Sequence, residues 1–287
     1  MEFHPDQLRG KTALVTGSTS GVGKWIAAGL ARMGARVGIA ARDEAKGRAV
    51  VDEIRGRVPG AQVEALACDF GSQASIRALA AEVDRRFEKL HVLVNNAGAI
   101  NQARKTSADG LELTFAVNHL GYFLLTNLLL PKLEASAPAR IISTASAAHR
   151  MGKLRWDDLQ AEKGYGAMRV YGTSKLANIL FTRELAKRLA GTNVTANCFH
   201  PGVVASGFGR NDPGLFSLGT RLAAAFMRTP EKAAETALWL AASPEVANVS
   251  GRYFANSREA GTSSAARSDA DAARLWDVSA RLVGLAA

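Results

Sequence analysis

The feature that most constrains the fold of this chain is its alternation of short apolar, β-rich runs with longer helical patterns. The predicted strands lie at 12–16, 35–41, 61–68, 91–95, 139–145, 193–199 and 252–255, and the predicted helices between them lie at 21–33, 43–58, 72–87, 109–134, 168–190 and 230–242. Nearly unbroken apolar strands joined by helices favour a parallel sheet covered on both faces. Right-handed crossovers then predict an α/β fold with a single doubly wound parallel sheet of about seven strands.

The 287 residues contain no linker rich in proline, glycine or serine, so we predict one domain spanning residues 1–287. Two segments, 147–167 and 205–229, fit no strand–helix unit and are predicted to be substrate loops. The second loop is rich in apolar side chains, which either line a lid over an apolar substrate or pack as two amphipathic turns on the body; they are Phe208, Leu215, Phe216, Leu218, Leu222, Phe226 and Met227.

The formal net charge of +10 leaves nucleic acid, a membrane surface or a polyanionic small molecule as partners. The densest basic cluster is followed at once by two acids and forms no arm; it comprises Arg140, Arg150, Lys153 and Arg155. Aromatic residues make up only 7% of the chain, too few for the interleaved stacking of a nucleic-acid surface. We therefore predict no nucleic-acid partner, and no metal site is predicted.

The compartment is inferred from two cysteines and from the first ten residues. Two cysteines cannot form a disulfide framework, and MEFHPDQLRG has no apolar leader, so a cytoplasmic protein is expected. The most lipid-like stretch, LGYFLLTNLLL at 120–130, is too short to cross a bilayer and is closed by Pro131. It predicts a buried helix, and no integral membrane segment is expected.

A glycine-rich turn follows the first predicted strand and opens the first predicted helix. Its residues are Gly17, Ser18, Thr19, Ser20, Gly21, Val22 and Gly23. Glycines permit a tight turn in which backbone N–H groups approach a pyrophosphate, and the helix N-terminus adds partial positive charge. The strand-before, helix-after context makes this a predicted dinucleotide-binding loop rather than a plain turn.

The end of the second strand is where the adenosine ribose of a dinucleotide would lie. An NAD-preferring site would place an acid there, but this chain has Ala41 followed by Arg42. A guanidinium can grip a 2′-phosphate bidentately, which favours NADP(H). Asp43 is the competing feature, and we interpret it as the N-cap of the following helix.

Tyr171 and Lys175 stand four residues apart in YGTSK, at the start of a helical pattern, and so share one helix face. A neighbouring ammonium favours a phenolate and lowers its pKa, which lets the pair exchange a proton with a carbonyl or alcohol oxygen. Ser146 follows the fifth strand, where its hydroxyl could bond the same oxygen. Further polar motifs follow the fourth and sixth strands, at the sheet edge where ligands bind; these are Asn95–Gly98, Asn118 and His200–Val204.

Together these motifs resemble the short-chain dehydrogenase/reductase family, whose fold is Rossmann-type, along nearly the whole chain. The pattern T-G-x-x-x-G-x-G matches residues 16–23 and N-N-A-G matches 95–98. Sequence segments such as FAVNHLGYFLLTNLLLPKL and YGTSKLANILFTRELAKRL are most similar to the retinol dehydrogenase-like branch, whose members mostly use NADP(H). The resemblance implies a catalytic set consisting of Asn118, Ser146, Tyr171 and Lys175.

The resemblance also implies the rest of the cofactor site. Beyond the glycine-rich turn and Arg42, the residues expected at the cofactor are Asp69 and Phe70 near the adenine, with Asn96, Ala97, Gly98, Tyr171, Lys175, Pro201, Gly202 and Val204 toward the nicotinamide. Val204 is expected to meet the carboxamide through its backbone, and Asn118 to position a water in a proton relay.

Three departures from the family pattern qualify this assignment. The family commonly has paired serines after the fifth strand, whereas here Ala145 precedes Ser146, which leaves Ser143 as a competitor. Tyr171 follows Ser146 by about twice the usual family interval, a lengthening that the retinol dehydrogenase-like branch shares. Membrane-anchored members of that branch begin with an apolar segment, which this chain lacks, so a different substrate is expected.

The expected activity is NADPH-dependent, reversible reduction of an aldehyde or ketone on an apolar substrate. Two alternatives stay open: reduction of a ring double bond, as in protochlorophyllide reductases, and an NADP(H)-binding sensor without catalysis. Family members often dimerise through the helices predicted at 109–134 and 168–190, and the 147–167 segment could cover that face. A monomer or a homodimer is therefore expected, with a small-molecule carbonyl or alcohol as substrate.

Overall fold

The computed structural model describes residues 4–204 and 228–285 and confirms the doubly wound α/β sheet. Eight strands lie in the order β3-β2-β1-β4-β5-β6-β7-β8. Their bounds are Thr12–Thr16, Arg36–Ala41, Val63–Ala67, Val92–Asn95, Ala139–Thr144, Val194–His200, Tyr253–Ala255 and Arg258–Glu259, in chain order from β1 to β8. All pairings are parallel except that of the short β8 with β7. The strand order reverses between β1 and β4, which opens a crevice at the carboxyl ends of these two strands.

Helices cover both faces of this sheet. In chain order from α1 to α8 they are Gly21–Arg32, Glu44–Arg57, Gln73–Arg86, Leu113–Phe115, Gly121–Ala135, Ala167–Arg188, Pro230–Ala242 and Asp269–Leu282. One face packs α1, α2 and α7 against residues such as Val15, Ile39 and Phe199. The other packs α3, α5, α6 and α8 around Leu14, Phe123 and Leu180.

Side-chain caps set several helix starts. Asp43 accepts from the Lys46 N–H at 3.0 Å at the start of α2, and Ser72 does the same for Ser75 at 3.3 Å in α3. Ser268 caps α8, whose first turn carries Asp269 and Asp271. Each cap satisfies a first-turn N–H that has no partner within its helix, and acids there complement the helix dipole.

The longest apolar helix pattern differs from its predicted form. The 109–134 helix was expected to be continuous, but α4 begins only at Leu113, because Glu112 accepts from the Thr114 and Phe115 N–H groups and caps it. A π-helical turn, Ala116–Leu120, then separates α4 from α5. The stretch Leu113–Ala135 is long and apolar enough to cross a bilayer, yet 72% of its most apolar window is buried within the protein. The predicted buried helix is therefore confirmed.

Two C-terminal elements lie outside the predicted set. β8 pairs antiparallel with β7, and α8 packs along α6 and touches α5.

Of the two predicted loops, 147–167 begins with a 3₁₀ turn at Ala147–Met151 and runs without regular structure to α6. It is anchored by a hydrogen bond from Arg104 Nε to the Gln160 carbonyl at 3.0 Å. The proposed lid residues of 205–229, from Phe208 to Met227, lie outside the described residues.

Candidate active site

The glycine-rich turn is tied to the end of β4 by side-chain hydrogen bonds. The Thr16 hydroxyl accepts from the Asn96 and Ala97 N–H groups at 2.8 and 3.0 Å. The Asn96 amide in turn donates to the carbonyls of Thr16 and Gly17 at 2.9 and 3.2 Å. Ser18 folds back and donates to the Val15 carbonyl at 2.8 Å. The two loops on either side of the crevice are therefore held as one unit.

The backbone of this turn leaves no room for a side chain at Gly17. Its φ is +66°, and a Cβ there would lie 2.5 Å from the Cα of Ala97. Ser20 precedes α1 and makes no side-chain cap. The first-turn N–H groups of Gly21, Val22 and Gly23 therefore lack the side-chain acceptor that α2 and α3 possess, which suits an anionic pyrophosphate at this terminus.

Arg42 and Asp43, the two charged residues after β2 that could select the cofactor, differ in their contacts. Ala41 is buried as the last residue of β2, and Arg42, which follows it, is exposed. The Asp43 carboxylate is engaged by the Lys46 N–H, and this hydrogen bond lowers the pKa of Asp43. The interpretation of Asp43 as a helix cap is confirmed, and Arg42 remains as the exposed cation beside the crevice.

The predicted adenine-side residues Asp69 and Phe70 follow β3. The Asp69 carboxylate accepts from the Gly71 N–H at 2.9 Å, and its own N–H donates to Ser75 Oγ at 2.9 Å. Phe70 is 7% exposed, and its ring belongs to the core facing α5. Phe70 could thus contribute to a cofactor site through its backbone, whereas the Asp69 side chain is exposed just after the end of β3.

Ser146 and Tyr171 are brought together by close packing of two backbones. Ser146 begins the 3₁₀ turn and accepts from the Ala148 N–H at 3.2 Å. That turn rests on α6 at Gly172, where a Cβ would meet the Ala148 carbonyl at 2.7 Å. A hydrogen bond joins the Ser146 and Tyr171 side chains. Ser143, the competitor, lies within β5 and is 1% exposed, so the structure places Ser146 beside the tyrosine.

Lys175 is a buried ammonium, 2% exposed, that donates to the Thr144 carbonyl at 3.0 Å. Its Nζ lies 5.6 Å from the Tyr171 ring centroid and 5.7 Å from that of Tyr122, distances at which a cation interacts with an aromatic face. Burial lowers the pKa of Lys175 to about 7, because a charged amine is poorly solvated there.

Burial also raises the pKa of Tyr171, and the hydrogen bond from Ser146 opposes this shift. The net direction is opposite to the lowering expected from Lys175 alone. The cause is that desolvation penalises the phenolate more than the surrounding groups stabilise it. Tyr171 is therefore protonated at neutral pH, the form that a general acid requires.

Asn118 lies in the π-helical turn and is fully buried. Its Oδ1 accepts from the Ala99 N–H at 2.7 Å, and its Nδ2 donates to the Ala99 carbonyl and to Ser174 Oγ, each at 3.0 Å. Both amide hydrogens are thus committed. A water in a proton relay would have to contact the main chain of this turn, where the π geometry shifts the carbonyls out of α-helical register.

The segment after β6 completes the edge. Pro201 and Gly202 follow β6, and Val204 forms an isolated bridge with Arg228 on the far side of the 205–227 segment. His200, the last β6 residue, is partly buried. Burial, Arg228 and His149 together lower the pKa of His200 to about 4. The predicted residues of this segment lie at the sheet edge, and their contacts with a cofactor stay a prediction.

Sequence reasoning left out several residues that contact the predicted set, and three of them supply side-chain contacts around Ala97, Ser146 and Lys175. Tyr122 donates to the Ala97 carbonyl at 2.7 Å and stacks against the Lys175 ammonium. His149 Nδ1 pairs with the Ser146 carbonyl at 2.7 Å. Asn178 Nδ2 donates to the same Thr144 carbonyl as Lys175, at 3.1 Å. Only Asn178 had a readable signal, because it follows Lys175 by three positions on one helix face.

Comparison with known proteins gives the class of protein that this fold and site define. A family model described as short chain dehydrogenase matches residues 11–213. The chain is 46% identical to retinol dehydrogenase 12 of Mus musculus over 279 residues, which cover 97% of this chain and 88% of that protein. It is 42% identical to human retinol dehydrogenase 14, with 98% and 88% covered. The chain belongs to the short-chain dehydrogenase/reductase family.

Solved structures agree with this assignment. An uncharacterized protein from Mycobacterium paratuberculosis superposes with a TM-score of 0.78 at 31% identity, covering 98% of this chain and 96% of that one. A protein named as an NAD(P)-dependent gluconate 5-dehydrogenase from Beutenbergia cavernae, with NADP bound at low occupancy, gives 0.71 at 29% identity, covering 88% and 96%. Within its family, this chain is a retinol dehydrogenase-like oxidoreductase.

Proposed function

We propose that this protein is an NADPH-dependent oxidoreductase that reversibly reduces an aldehyde or ketone on an apolar substrate to the alcohol. The observation that carries the proposal is the cluster of the buried Lys175 with the partly buried Ser146 and Tyr171, at the same carboxyl edge of the sheet as the glycine-rich turn. A pure nucleotide sensor has no need of a protonated tyrosine and a desolvated ammonium held 5.6 Å apart.

The cofactor is proposed to be NADP(H). The uncapped start of α1 suits the pyrophosphate, Asp69 and Gly98 are exposed after the ends of β3 and β4, and Arg42 offers a guanidinium where a 2′-phosphate would lie. The buried Ala41 ahead of it offers no carboxylate to a ribose 2′-hydroxyl. The similar protein from Beutenbergia cavernae, which has NADP bound, supports this choice.

In the reduction, Tyr171 donates its proton to the substrate carbonyl oxygen as that oxygen gains charge. The Ser146 hydroxyl donates a hydrogen bond to the same oxygen, which stabilises the developing alkoxide. The Lys175 ammonium lies over the Tyr171 ring and favours the phenolate that the transfer creates. NADPH, when bound, supplies the hydride. Because burial raises the pKa of Tyr171, we expect reduction to be favoured at neutral pH and oxidation of the alcohol to gain as pH rises.

The substrate is proposed to be apolar, with retinal-like and other lipid aldehydes, steroid ketones and polyketide-derived ketones as candidates. Support comes from the relatives, which are named retinol dehydrogenases. Exposed apolar side chains in the segments flanking the crevice add to it: Met151 is 57%, Met168 40% and Val203 65% exposed. Such surfaces near a site favour apolar ligands.

A monomer is proposed, because the chain covers the faces of α5 and α6 with its own α8. The Trp276 ring lies 4.9 Å from Phe123 and 5.9 Å from Phe181, and the Arg188 guanidinium lies 4.2 Å from the same ring.

We also propose a cytoplasmic location, supported by Cys68 and Cys198, which are buried and free. Light scattering and cell fractionation test these two proposals.

The activity is tested by a panel of carbonyl substrates with NADPH and with NADH, read as kcat/KM. We expect turnover of apolar aldehydes or ketones, with NADPH preferred over NADH. Turnover of a ring double bond without carbonyl reduction would instead favour a protochlorophyllide-type enzyme. Tight NADPH binding with no turnover on the whole panel would favour a sensor, and either result would overturn the proposal.

A further inference from the structure

A buried polar cluster that the proposed mechanism does not use connects the C-terminal helix to Lys175. His119 sits in the π-helical turn next to Asn118, Asn178 sits on α6, and Ser279 sits on α8; each is 0% exposed. His119 Nε2 pairs with the Ser279 hydroxyl at 2.9 Å. At the other end, Asn178 Nδ2 and Lys175 Nζ both donate to the Thr144 carbonyl, at 3.1 and 3.0 Å.

The middle of this cluster contains one buried nitrogen and one buried oxygen that could form a hydrogen bond with each other. Within the described residues, His119 Nδ1 and Asn178 Oδ1 are buried polar atoms with no hydrogen-bond partner at strict geometry. The π-helical turn packs on α6 on both sides of Asn178, because Asn118 Nδ2 donates to Ser174 Oγ at 3.0 Å and the His119 ring centroid lies 6.2 Å from that of Phe181. Burial lowers the pKa of His119 to about 3, and the Asn178 side chain opposes this shift. A neutral histidine with its proton on Nδ1 would satisfy both atoms, because it donates there and accepts at Nε2.

We propose that His119 donates from Nδ1 to Asn178 Oδ1, fixes the orientation of that amide, and thereby positions Lys175 through the shared Thr144 carbonyl. A side-chain amide fits its site in two orientations that exchange its oxygen and nitrogen. With the oxygen held by His119, the nitrogen must face Thr144 and donate to it. The reversed amide would set its oxygen against the Thr144 carbonyl and beside the ammonium.

The surroundings make this orientation depend on His119. The imidazole is enclosed by aromatic rings, with centroids 5.0 Å from Phe115, 6.4 Å from Phe123 and 6.2 Å from Phe181. Within residues 4–204 and 228–285, no charged group shifts the pKa of His119 or of Lys175. The groups that face Lys175 are the Thr144 carbonyl and the rings of Tyr122 and Tyr171. The Asn178 amide is thus the polar side chain that shares the acceptor of the ammonium.

The test compares two substitutions that keep different nitrogens of the imidazole. His119→Asn places an amide N–H near the Nδ1 position and can still hold Asn178, whereas His119→Gln reaches toward the Nε2 position and Ser279. Release of the Asn178 amide lets its oxygen approach the ammonium, which favours the charged form of Lys175. We therefore expect His119→Gln to raise the Lys175-dependent apparent pKa of kcat/KM by about half a unit or more, and His119→Asn to retain the parental profile.

A control separates this effect from loss of stability. Thr182→Val removes a buried hydroxyl that donates to the Asn178 carbonyl at 2.8 Å on the same helix, without touching the amide. It should lower the melting temperature and leave the pH profile unchanged. If His119→Gln and His119→Asn shift the profile equally, or if neither does, His119 is structural only and the proposal is overturned.

A second measurement uses the unaltered protein, so it depends neither on enzymatic activity nor on the folding of a variant. The inference rests on the proposed function only for the role of Lys175, so ¹⁵N-histidine NMR of the unaltered protein tests the imidazole directly. We expect the imidazole assigned to His119 to stay neutral down to about pH 4, with its proton on Nδ1. The signal must be assigned to its residue, because His149 also donates from Nδ1, to the Ser146 carbonyl, and the pKa of His200 is also about 4. A proton on Nε2 would contradict the inference whether or not the enzyme is active, whereas an Nδ1 proton with no carbonyl turnover would leave it standing and overturn the proposed function alone.

Discussion

The candidate site has two halves, the cofactor half at the β1–α1 turn and the catalytic half at β5 and α6, and they use different kinds of chemical group. Around the β1–α1 turn, the groups that would meet a cofactor are backbone N–H groups and an exposed guanidinium, and tight packing at Gly17 sets their positions. Around β5 and α6, the working groups are side chains removed from water: Lys175 is 2% exposed, and its pKa lies near 7. Backbone geometry therefore governs the first half, and desolvated charge governs the second.

This difference predicts different sensitivities. Apart from Arg42, the first half should tolerate changes of side-chain chemistry but fail when a single Cβ is added at Gly17. The second half should tolerate small changes of shape but respond to any change of charge or proton affinity, because buried charges interact strongly and are costly to solvate. Substitutions in each half can break or sharpen that contrast.

The largest effect is expected at Gly17. Gly17→Val adds a Cβ that would lie 2.5 Å from the Ala97 Cα, at a φ of +66°. We expect NADPH affinity to fall by about 100-fold or more, because both the clash and the left-handed backbone are unfavourable. Titration of NADPH fluorescence measures this. Gly10→Ala is the matched control: it also has positive φ, but nothing lies within 4 Å of its Cβ position, and it should bind normally.

The next effect is a pH dependence of stability that arises at Lys175. The folded-state pKa, about 7, lies below the ordinary value of 10.5. The folded protein therefore binds this proton less readily than the unfolded chain does, and stability rises with pH between these values. From pH 7 to pH 9, the free energy of unfolding should rise by on the order of 2 kcal/mol more in the parent than in Lys175→Met.

Urea denaturation at the two pH values checks this expectation. Lys232→Met removes an exposed ammonium from α7 and should follow the parent across the same range. A parent and a Lys175→Met variant that respond identically to pH would show that the buried ammonium is solvated in some other way, and the contrast between the two halves would weaken.

A smaller effect is expected at the surface of the first half. Arg42→Ala should reduce the preference for NADPH over NADH by about 10- to 100-fold in kcat/KM, the loss of a charge-assisted contact to the 2′-phosphate. Asp43→Ala is the neighbouring control, since it removes the cap on α2 and should cost about 1 kcal/mol of stability. An unchanged cofactor preference in Arg42→Ala, or an equal change in Asp43→Ala, would contradict the assigned role of Arg42.

Sequence reasoning reached the first half more completely than the second. The succession of strands and helices, the glycine-rich turn and the Asp43 cap follow from local patterns, because each is decided by residues close together in the chain. The Ser146–Tyr171 pair was predicted from the position of Ser146 after the fifth strand together with the family resemblance. The upward pKa shift of Tyr171, the caged His119 and its contact with Ser279 were not predicted, because burial and contacts across 160 residues have no local signature.

The C-terminal helix shows the same limit. The sequence of α8 carries its own cap at Ser268 and an amphipathic pattern, yet its position against α6 is fixed by Trp276 stacking beside Phe181. Likewise, the break in the predicted 109–134 helix depends on how the Glu112 carboxylate meets two N–H groups. Such tertiary contacts interrupt a helix that the sequence pattern alone predicts to be continuous.

The most direct test of the account compares NADPH binding and turnover in Tyr171→Phe and the parent. The substitution removes the proposed proton donor while keeping the ring that lies over Lys175. We expect NADPH affinity to stay within about twofold and carbonyl turnover to fall by about 100-fold or more. Turnover close to that of the parent would contradict the central claim that Tyr171 is the general acid of this site.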